Sequence, residues 1–325
     1  MKKIYSLLFL LAFSLQVFSQ DTAVAIKDTT WKRGAFGSVV FNQVAFNHWA
    51  AGGENSYSFT ALGFGFANYH FQKNYWNSYA NLQYGMLNSR SGGLRKNTDV
   101  IELQTKGGHE IGKKFYFTGL INFKSQFANG YIYPNDSNVV SKFAAPAYLI
   151  VSLGFEWKPV DYFSLYLSPA TGKFTFITDQ TIADYVLNGV SLWGNDPAVY
   201  DSVTGALITH GATSREEFGA YFTAQFIKDV VKNVNVATRL ALFNNYTDPN
   251  KQNRKNIDVA YDLLVTMKVN NWLSANFFTN IIYDNDIFVL DLNDDGTPKG
   301  TGGPRTQIKE GLGIGITYKI GDEFK

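Results

Sequence analysis

The segment Thr60-Ala61-Leu62-Gly63-Phe64-Gly65-Phe66-Ala67 sets large apolar residues (Leu62, Phe64, Phe66) against tiny ones (Ala61, Gly63, Gly65, Ala67). Side chains alternate faces along a strand, so one face of this segment is fatty and the other nearly bare. A fatty face backed by a small, crowded one suits the wall of a closed barrel in a bilayer. The segment is the return strand of a hairpin that starts near Phe36 and turns through Asn47-His48-Trp49-Ala50-Ala51-Gly52-Gly53-Glu54-Asn55-Ser56. The far end of the chain repeats the device, with Leu312, Ile314, Ile316, Tyr318 and Ile320 on one parity and Gly311, Gly313, Gly315, Thr317 and Lys319 on the other. The large set is read as outward and the small set as inward. If the barrel closes in sequence order, the two glycine-lined strands flank strand 34–46 and leave its inward side unusually roomy.

Between these ends the alternation marks about twelve strands: 34–46, 56–68, 76–88, 97–110, 114–128, 146–157, 163–177, 214–227, 234–246, 256–269, 272–285 and 305–320. Most are about 12–15 residues long, enough to cross a bilayer at a tilt near 45°, whereas sandwich strands usually run to about 5–6. Long polar connections (47–55, 89–96, 129–145, 178–213, 247–255, 286–304) alternate with short turns near 69–75, 110–114, 158–162, 228–233 and 270–271. That sorting is the mark of an outer-membrane barrel with periplasmic turns and extracellular loops. Faces divide accordingly. Ile257, Val259, Tyr261, Leu263, Val265 and Met267 oppose Asp258, Asp262, Thr266 and Lys268, while Phe115, Phe117, Ile121 and Phe123 oppose Thr118, Asn122, Lys124 and Gln126. Aromatic residues gather at the short turns (Tyr69, Phe71, Tyr75, Trp76, Phe115, Tyr116, Trp157, Tyr162, Phe163, Trp272), as an interfacial girdle would. Tyr131, Tyr133, Tyr246 and Tyr283 supply a second belt at the loop end.

Composition agrees. Aromatic residues make up 16% of the 325, with 29 Gly and only 8 Pro. Lys2 and Lys3 precede an apolar run over 4–13 that is too short for a membrane helix, which needs about 20 apolar residues. Residues 1–19 are therefore read as a secretory signal peptide, 20–33 as a periplasmic lead and 34–325 as the barrel. The 29 basic and 27 acidic residues balance once Lys2 and Lys3 are removed, leaving no basic stripe for a nucleic-acid partner. Cysteine is absent, so no disulfide framework holds an exported chain together.

The block from Asn42 through Trp49-Ala50-Ala51-Gly52-Gly53 to Ser56, with Asn81-Leu82-Gln83-Tyr84-Gly85 and Lys96-Asn97-Thr98-Asp99, resembles a Bacteroidota family catalogued as domain of unknown function 3078. The resemblance implies an outer-membrane barrel without an established activity and brings no catalytic residues.

Inward charges are the first functional candidates: Glu102, Lys106, Lys124, Arg239, Asp258 and Asp262. Pairing around loop 247–255 brings Arg239 beside Asp262. Such groups line a narrow channel or lock the lumen with internal ion pairs, and their mixed signs favour the packed or weakly selective lumen. Asp291, Asn293 and Asp295, followed by Gly296, match the first half of a calcium loop, but Gly302 stands where its bidentate Glu belongs. A solvated Asp-Gly turn outweighs calcium there. His48, Trp49, Gly52 and Gly53 form the loop motif, read as turn geometry and rim packing. His70, His109 and His210 are scattered, and no nucleophile elbow, metal spacing or phosphate loop occurs. In loop 178–213, Ile182, Tyr185, Val186 and Gly189 have helical spacing, which predicts a short helix or plug, and Trp193 suits contact with a partner.

The expectation is an all-β, up-and-down transmembrane barrel of the bacterial outer membrane with no catalytic residues. It is a narrow passive channel or structural barrel; an accessory subunit docking through its long loops and a hydrolase are the alternatives. Its partners are outer-membrane lipid, the barrel-insertion machinery and an outer-membrane protein.

Overall fold

The computed structural model describes residues 31–45, 54–133, 136–293 and 298–321. Twelve antiparallel strands close into one barrel in chain order. They are β1 (Trp31–Val44), β2 (Ser56–Phe71), β3 (Asn74–Ser89), β4 (Gly93–Gly112), β5 (Phe115–Ser125) and β6 (Ala147–Val160). The second half is β7 (Phe163–Phe176), β8 (Ser214–Val231), β9 (Val234–Asn245), β10 (Asp258–Lys268), β11 (Leu273–Tyr283) and β12 (Gln307–Gly321). β1 and β12 pair, Val39 opposite Ile316, and remove the sheet's last free edge. In lipid every backbone N–H and C=O must be paired within the protein, and closure is how a sheet does so. The β3–β4 connection, expected to be long, is a tight turn, chiefly because β4 begins at Gly93 rather than at 97 while β3 runs on to Ser89.

The exterior is apolar. Ile314 is 62% and Tyr318 73% exposed on β12, and Phe115, Phe117 and Ile121 are exposed on β5. Trp76, Phe115, Trp157 and Trp272 ring the short-turn end from outside, with Phe115 and Trp157 stacked, their centroids 6.0 Å apart. Tyr75 does not join that girdle. It neighbours Trp76, so alternation turns it into the barrel, where it is only 4% exposed.

The core sits inside the barrel. Leu120, Tyr166, Tyr221, Ala241 and Phe243 pack together from β5, β7, β8 and β9. On the opposite wall Phe64 stacks on Phe36 at 5.4 Å and on Tyr79 at 5.8 Å. This second cluster corrects the reading of 60–67. Residues directly opposite in an antiparallel pair share a face. Phe36 pairs with Phe64, Ser38 with Leu62 and Gly34 with Phe66, and Ser38 meets Thr317 inside the lumen at 2.9 Å. Leu62, Phe64 and Phe66 therefore point inward, and Ala61, Gly63, Gly65 and Ala67 face outward. The start of the same strand sets the phase. Tyr57 and Phe59 are exposed outside while Ser58 is buried inside, and no register shift interrupts β2 against either neighbour.

Above the long-loop end, the segment after β7 folds over the barrel mouth. Its helix covers only Gln180–Ala183, capped by Asp179, whose carboxylate accepts from the Ile182 amide at 3.1 Å. The short helix expected on the spacing from Ile182 to Gly189 forms but stops at Ala183, because Asn188 and Gly189 take positive φ (53° and 76°) and turn Val186–Leu187 back onto Val190–Ser191. Asn-Gly is the residue pair a two-residue hairpin turn favours. Ile182 and Ala183 bury against Ala145 and Ile177, and Trp193 packs on that cluster. The Trp193 indole donates to the Val140 carbonyl at 3.1 Å, which makes it a cap-packing residue rather than a docking one.

Candidate functional site: the braced lumen

Alternation delivers every second residue of each strand to the lumen, and the charged ones gather in three tiers. The middle tier spans the barrel. Glu102 on β4 and Lys124 on β5 are register partners, and their charged groups lie 3.5 Å apart. Arg239 comes from β9, five strands round a ring of twelve and so almost diametrically opposite β4. Its Nη1 reaches across to donate to Glu102 Oε1 at 3.1 Å. The same carboxylate oxygen accepts from the Tyr79 hydroxyl at 3.0 Å and from Asn122 Nδ2 at 2.9 Å. Arg239 Nη2 donates to the Tyr221 hydroxyl at 3.0 Å, which ties the guanidinium to β8 as well. A charge buried this way is tolerable because its hydrogen-bonding positions are filled.

The upper tier lies towards the long loops. Lys173 Nζ contacts Asp258 at 2.8 Å, Asp284 at 3.1 Å and Glu217 at 3.4 Å. Arg215 Nη2 lies 2.9 Å from Glu217 Oε1 and also pairs with Asp286. The lower tier centres on Glu156, fully buried, which accepts from Lys106 and from the Tyr75 hydroxyl and pairs with Lys158 at 3.1 Å.

The sequence candidates thus divide among tiers. Glu102, Lys124 and Arg239 form the middle one, Lys106 the lower and Asp258 the upper. Asp262 is the register partner of Arg239, as strand order requires, yet its carboxylate accepts from Asn280 Nδ2 at 2.7 Å while Arg239 turns to Glu102. Pairing along the wall was legible; reach across it was not. Lys173, Glu156 and Glu217 escaped the sequence reading although each sits on the inward parity of a strand it had marked. Lys173 and Glu217 are direct register partners.

The loop candidates stand apart from the lumen. Both Asp291 oxygens are engaged, by Arg305 Nε and Nη2 at 3.1 Å each and by Thr301 at 3.0 Å. Those bonds, Arg305 first, hold its carboxyl below the usual carboxylate range. Asn293 is exposed, and Asp295 lies outside the described residues. His48, Trp49, Gly52 and Gly53 lie outside them too. Among the described histidines, His109 meets Asn74 and His210 meets Asp184, both at 2.8 Å on exposed ground.

Apolar outside, closed by β1 on β12 and filled inside by aromatic and ion-paired side chains, this is a membrane-spanning twelve-stranded β-barrel with an occupied lumen. Residues 41–131, from the first hairpin to the segment after β5, match the model of a family described as "Protein of unknown function (DUF3078)". No curated protein matches the chain. Among solved structures it is similar to an outer membrane channel from Pseudomonas putida F1 (9% identity, 88% of this chain and 96% of that one covered, TM-score 0.41). The NanC porin gives 6% identity, 86% and 98% coverage and a TM-score of 0.37. The translocator domain of an autotransporter from Neisseria meningitidis gives 8%, 97% and 95%, and 0.33.

Proposed function

We propose that the protein is a non-enzymatic barrel of the bacterial outer membrane, closed at rest, its short turns on the periplasmic side. The observation that carries this reading is the Arg239–Glu102 pair, which joins nearly opposite walls at 3.1 Å. With the aromatic cluster on one side and Tyr166, Tyr221 and Phe243 on the other, the pair leaves mid-lumen to side chains rather than solute. A lumen that conducts needs charges that line the wall without meeting across it.

Planar-bilayer conductance tests the proposal. The unmodified barrel gives no steady steps, whereas Glu102→Gln combined with Arg239→Met, which removes both charges together, gives small steady ones. Truncating one partner alone strands a buried charge at a cost of about 3–5 kcal/mol, so the paired variant is the one that keeps the fold. Steady conductance by the unmodified protein would overturn the closed lumen. Silence from both would assign the barrel a structural role.

The second reading, an accessory subunit of a larger outer-membrane assembly, is favoured by the hairpin of Val199–Tyr200 and Leu207–Thr209, which holds Ile208 63% and Val203 92% exposed beyond the barrel. Gentle extraction followed by co-purification separates the two, because a stable partner lost on Ile208→Asp would place the function outside the lumen.

A further inference from the structure

The cap over the barrel mouth carries the hairpin of Val199–Tyr200 and Leu207–Thr209, and its apolar residues face water. Val199, Tyr200, Leu207 and Ile208 are exposed along it, and Val203 stands almost fully bare in its turn. The turn is nonetheless held in one shape. Asp201 Oδ1 accepts from the Val203 amide at 3.0 Å, the Thr204 amide at 2.7 Å and the Thr204 hydroxyl at 2.9 Å. The Asp201 amide donates to the Ala206 carbonyl at 2.8 Å and the Gly205 amide to the Asp201 carbonyl at 2.9 Å, with Gly205 at φ 69°. At the base the Tyr200 hydroxyl donates to the Asp184 carbonyl at 3.1 Å. Apolar groups already fixed in place lose less freedom on binding than groups on a loose loop. An exposed apolar patch with a polar rim is the usual form of an interaction site.

The rim has one sign. Segment 178–213 contains Asp179, Asp184, Asp196 and Asp201 and neither Lys nor Arg. Lys142 pairs with Asp179, and His210 meets Asp184. Asp196 and Asp201, on either side of Val199–Tyr200 in the chain, have no cationic partner among the described residues. The internal stretches outside the described residues (46–53, 134–135 and 294–297) hold no Lys or Arg and add Asp294 and Asp295. Both chain ends adjoin the opposite rim, where Trp31 pairs with Tyr69 and Gly321 with Gly34.

We propose that this tip docks a protein whose contact surface is an apolar slot edged with Lys or Arg, a proposal that rests on the accessory-subunit reading. Val203 and Ile208 fill the slot, Val199 and Leu207 cover its margins, and Asp196 and Asp201 meet the basic edge. The same charges argue against other occupants. A second copy would set one acidic cap against another, and an anionic lipid surface would repel it. A purely apolar partner would strip water from the aspartates and leave them unpaired. Charge complementarity of this kind acts on association rate and partner choice more than on affinity.

The experiment places the full barrel in nanodiscs of zwitterionic lipid and titrates it with a short labelled peptide of alternating Val and Lys, read by fluorescence anisotropy. A Val and Glu peptide reverses the charge, and a Ser and Lys peptide removes the apolar side chains. The expected result is saturable binding of the Val and Lys peptide, with the other two about tenfold weaker or worse. Val203→Ser combined with Ile208→Ser, at exposed positions that leave the fold intact, weakens that binding about tenfold or more. Asp196→Asn slows association and flattens its dependence on salt. Lack of saturable binding, or binding unmoved by the double serine variant, would overturn the site, and equal binding of the Val and Glu peptide would strike the basic edge from it. Co-purification keeps the two readings apart. A partner lost on Ile208→Asp while the peptide stays silent keeps the accessory role and discards this chemistry, whereas peptide binding with no co-purified partner keeps the chemistry and discards the role.

Discussion

Leu62-Gly63-Phe64-Gly65-Phe66 and Leu312-Gly313-Ile314-Gly315-Ile316 are nearly the same five-residue pattern on the two strands that flank β1, yet they face opposite ways. On β12 the glycines point into the lumen and the aliphatic residues into the bilayer. On β2 the large residues fill the lumen and the glycines look out. The neighbours decide. A Cβ on Gly313 would stand 2.5 Å from both Val40 and Asn42 of β1, so those side chains already occupy the room that glycine leaves. A Cβ on Gly63 would meet nothing within 4 Å. Alternation therefore names two faces without saying which is inside. That is settled by register with an adjoining strand, and for β2 by its own first turn of pattern, Tyr57 and Phe59 out with Ser58 in.

The largest way to break the comparison is a charge in place of one large residue of each pattern. Ile314→Lys puts an ammonium on the lipid face of β12, where burying Lys near the bilayer midplane costs about 2–4 kcal/mol. Leu62→Lys, the first large residue of the other pattern, enters the lumen instead, beside its register partners Ser38 and Gln83, and costs less. Equilibrium unfolding in urea from liposomes, read by the gel shift of the folded barrel, gives both numbers. Equal losses would mean that the two strands share an orientation.

Next in size is Gly313→Val. Its branched side chain must displace Val40 and Asn42, and overpacking of this kind costs about 1–3 kcal/mol. The midpoint of urea unfolding should fall by that amount with its slope unchanged. Val40→Ala introduced with Gly313→Val should recover part of the loss, because it returns the volume on the strand that crowds the site.

How much of this was legible follows from which forces act along the chain and which act across it. Strand period, strand number and the sorting of long loops from short turns are local, and all twelve strands were read near their observed bounds. The pairing of Glu102 with Lys124 is also local, since neighbouring strands and turn length fix it. The Arg239–Glu102 brace is not, because it depends on barrel diameter and strand tilt, which no stretch of sequence states. Tyr75 was misplaced with Trp76 because clustering at a turn says nothing about parity. The helix expected beyond Ala183 was lost to a signal that was present, Asn188-Gly189, outvoted by the spacing of apolar residues.

The smallest effect is the most telling about what lies against the outer wall. Gly63→Val changes a residue whose added Cβ meets none of the described protein atoms within 4 Å, on a face shared with Ala35, Gly37, Ala61, Gly65 and Ala67. Two terms compete in lipid alone. Valine is a better strand former than glycine, whose backbone freedom costs about 0.5–1 kcal/mol in a strand, and its methyl groups lie in hydrocarbon at no desolvation cost. The barrel should therefore be unchanged or up to about 1 kcal/mol more stable by the same urea measurement, with the sign opposite to Gly313→Val. A loss above about 1 kcal/mol in native membranes, absent from purified protein in liposomes, would mean that something other than lipid packs on this bare strip. The two glycine patterns would then be alike after all, each filled by a neighbour, β1 in one case and a partner in the other.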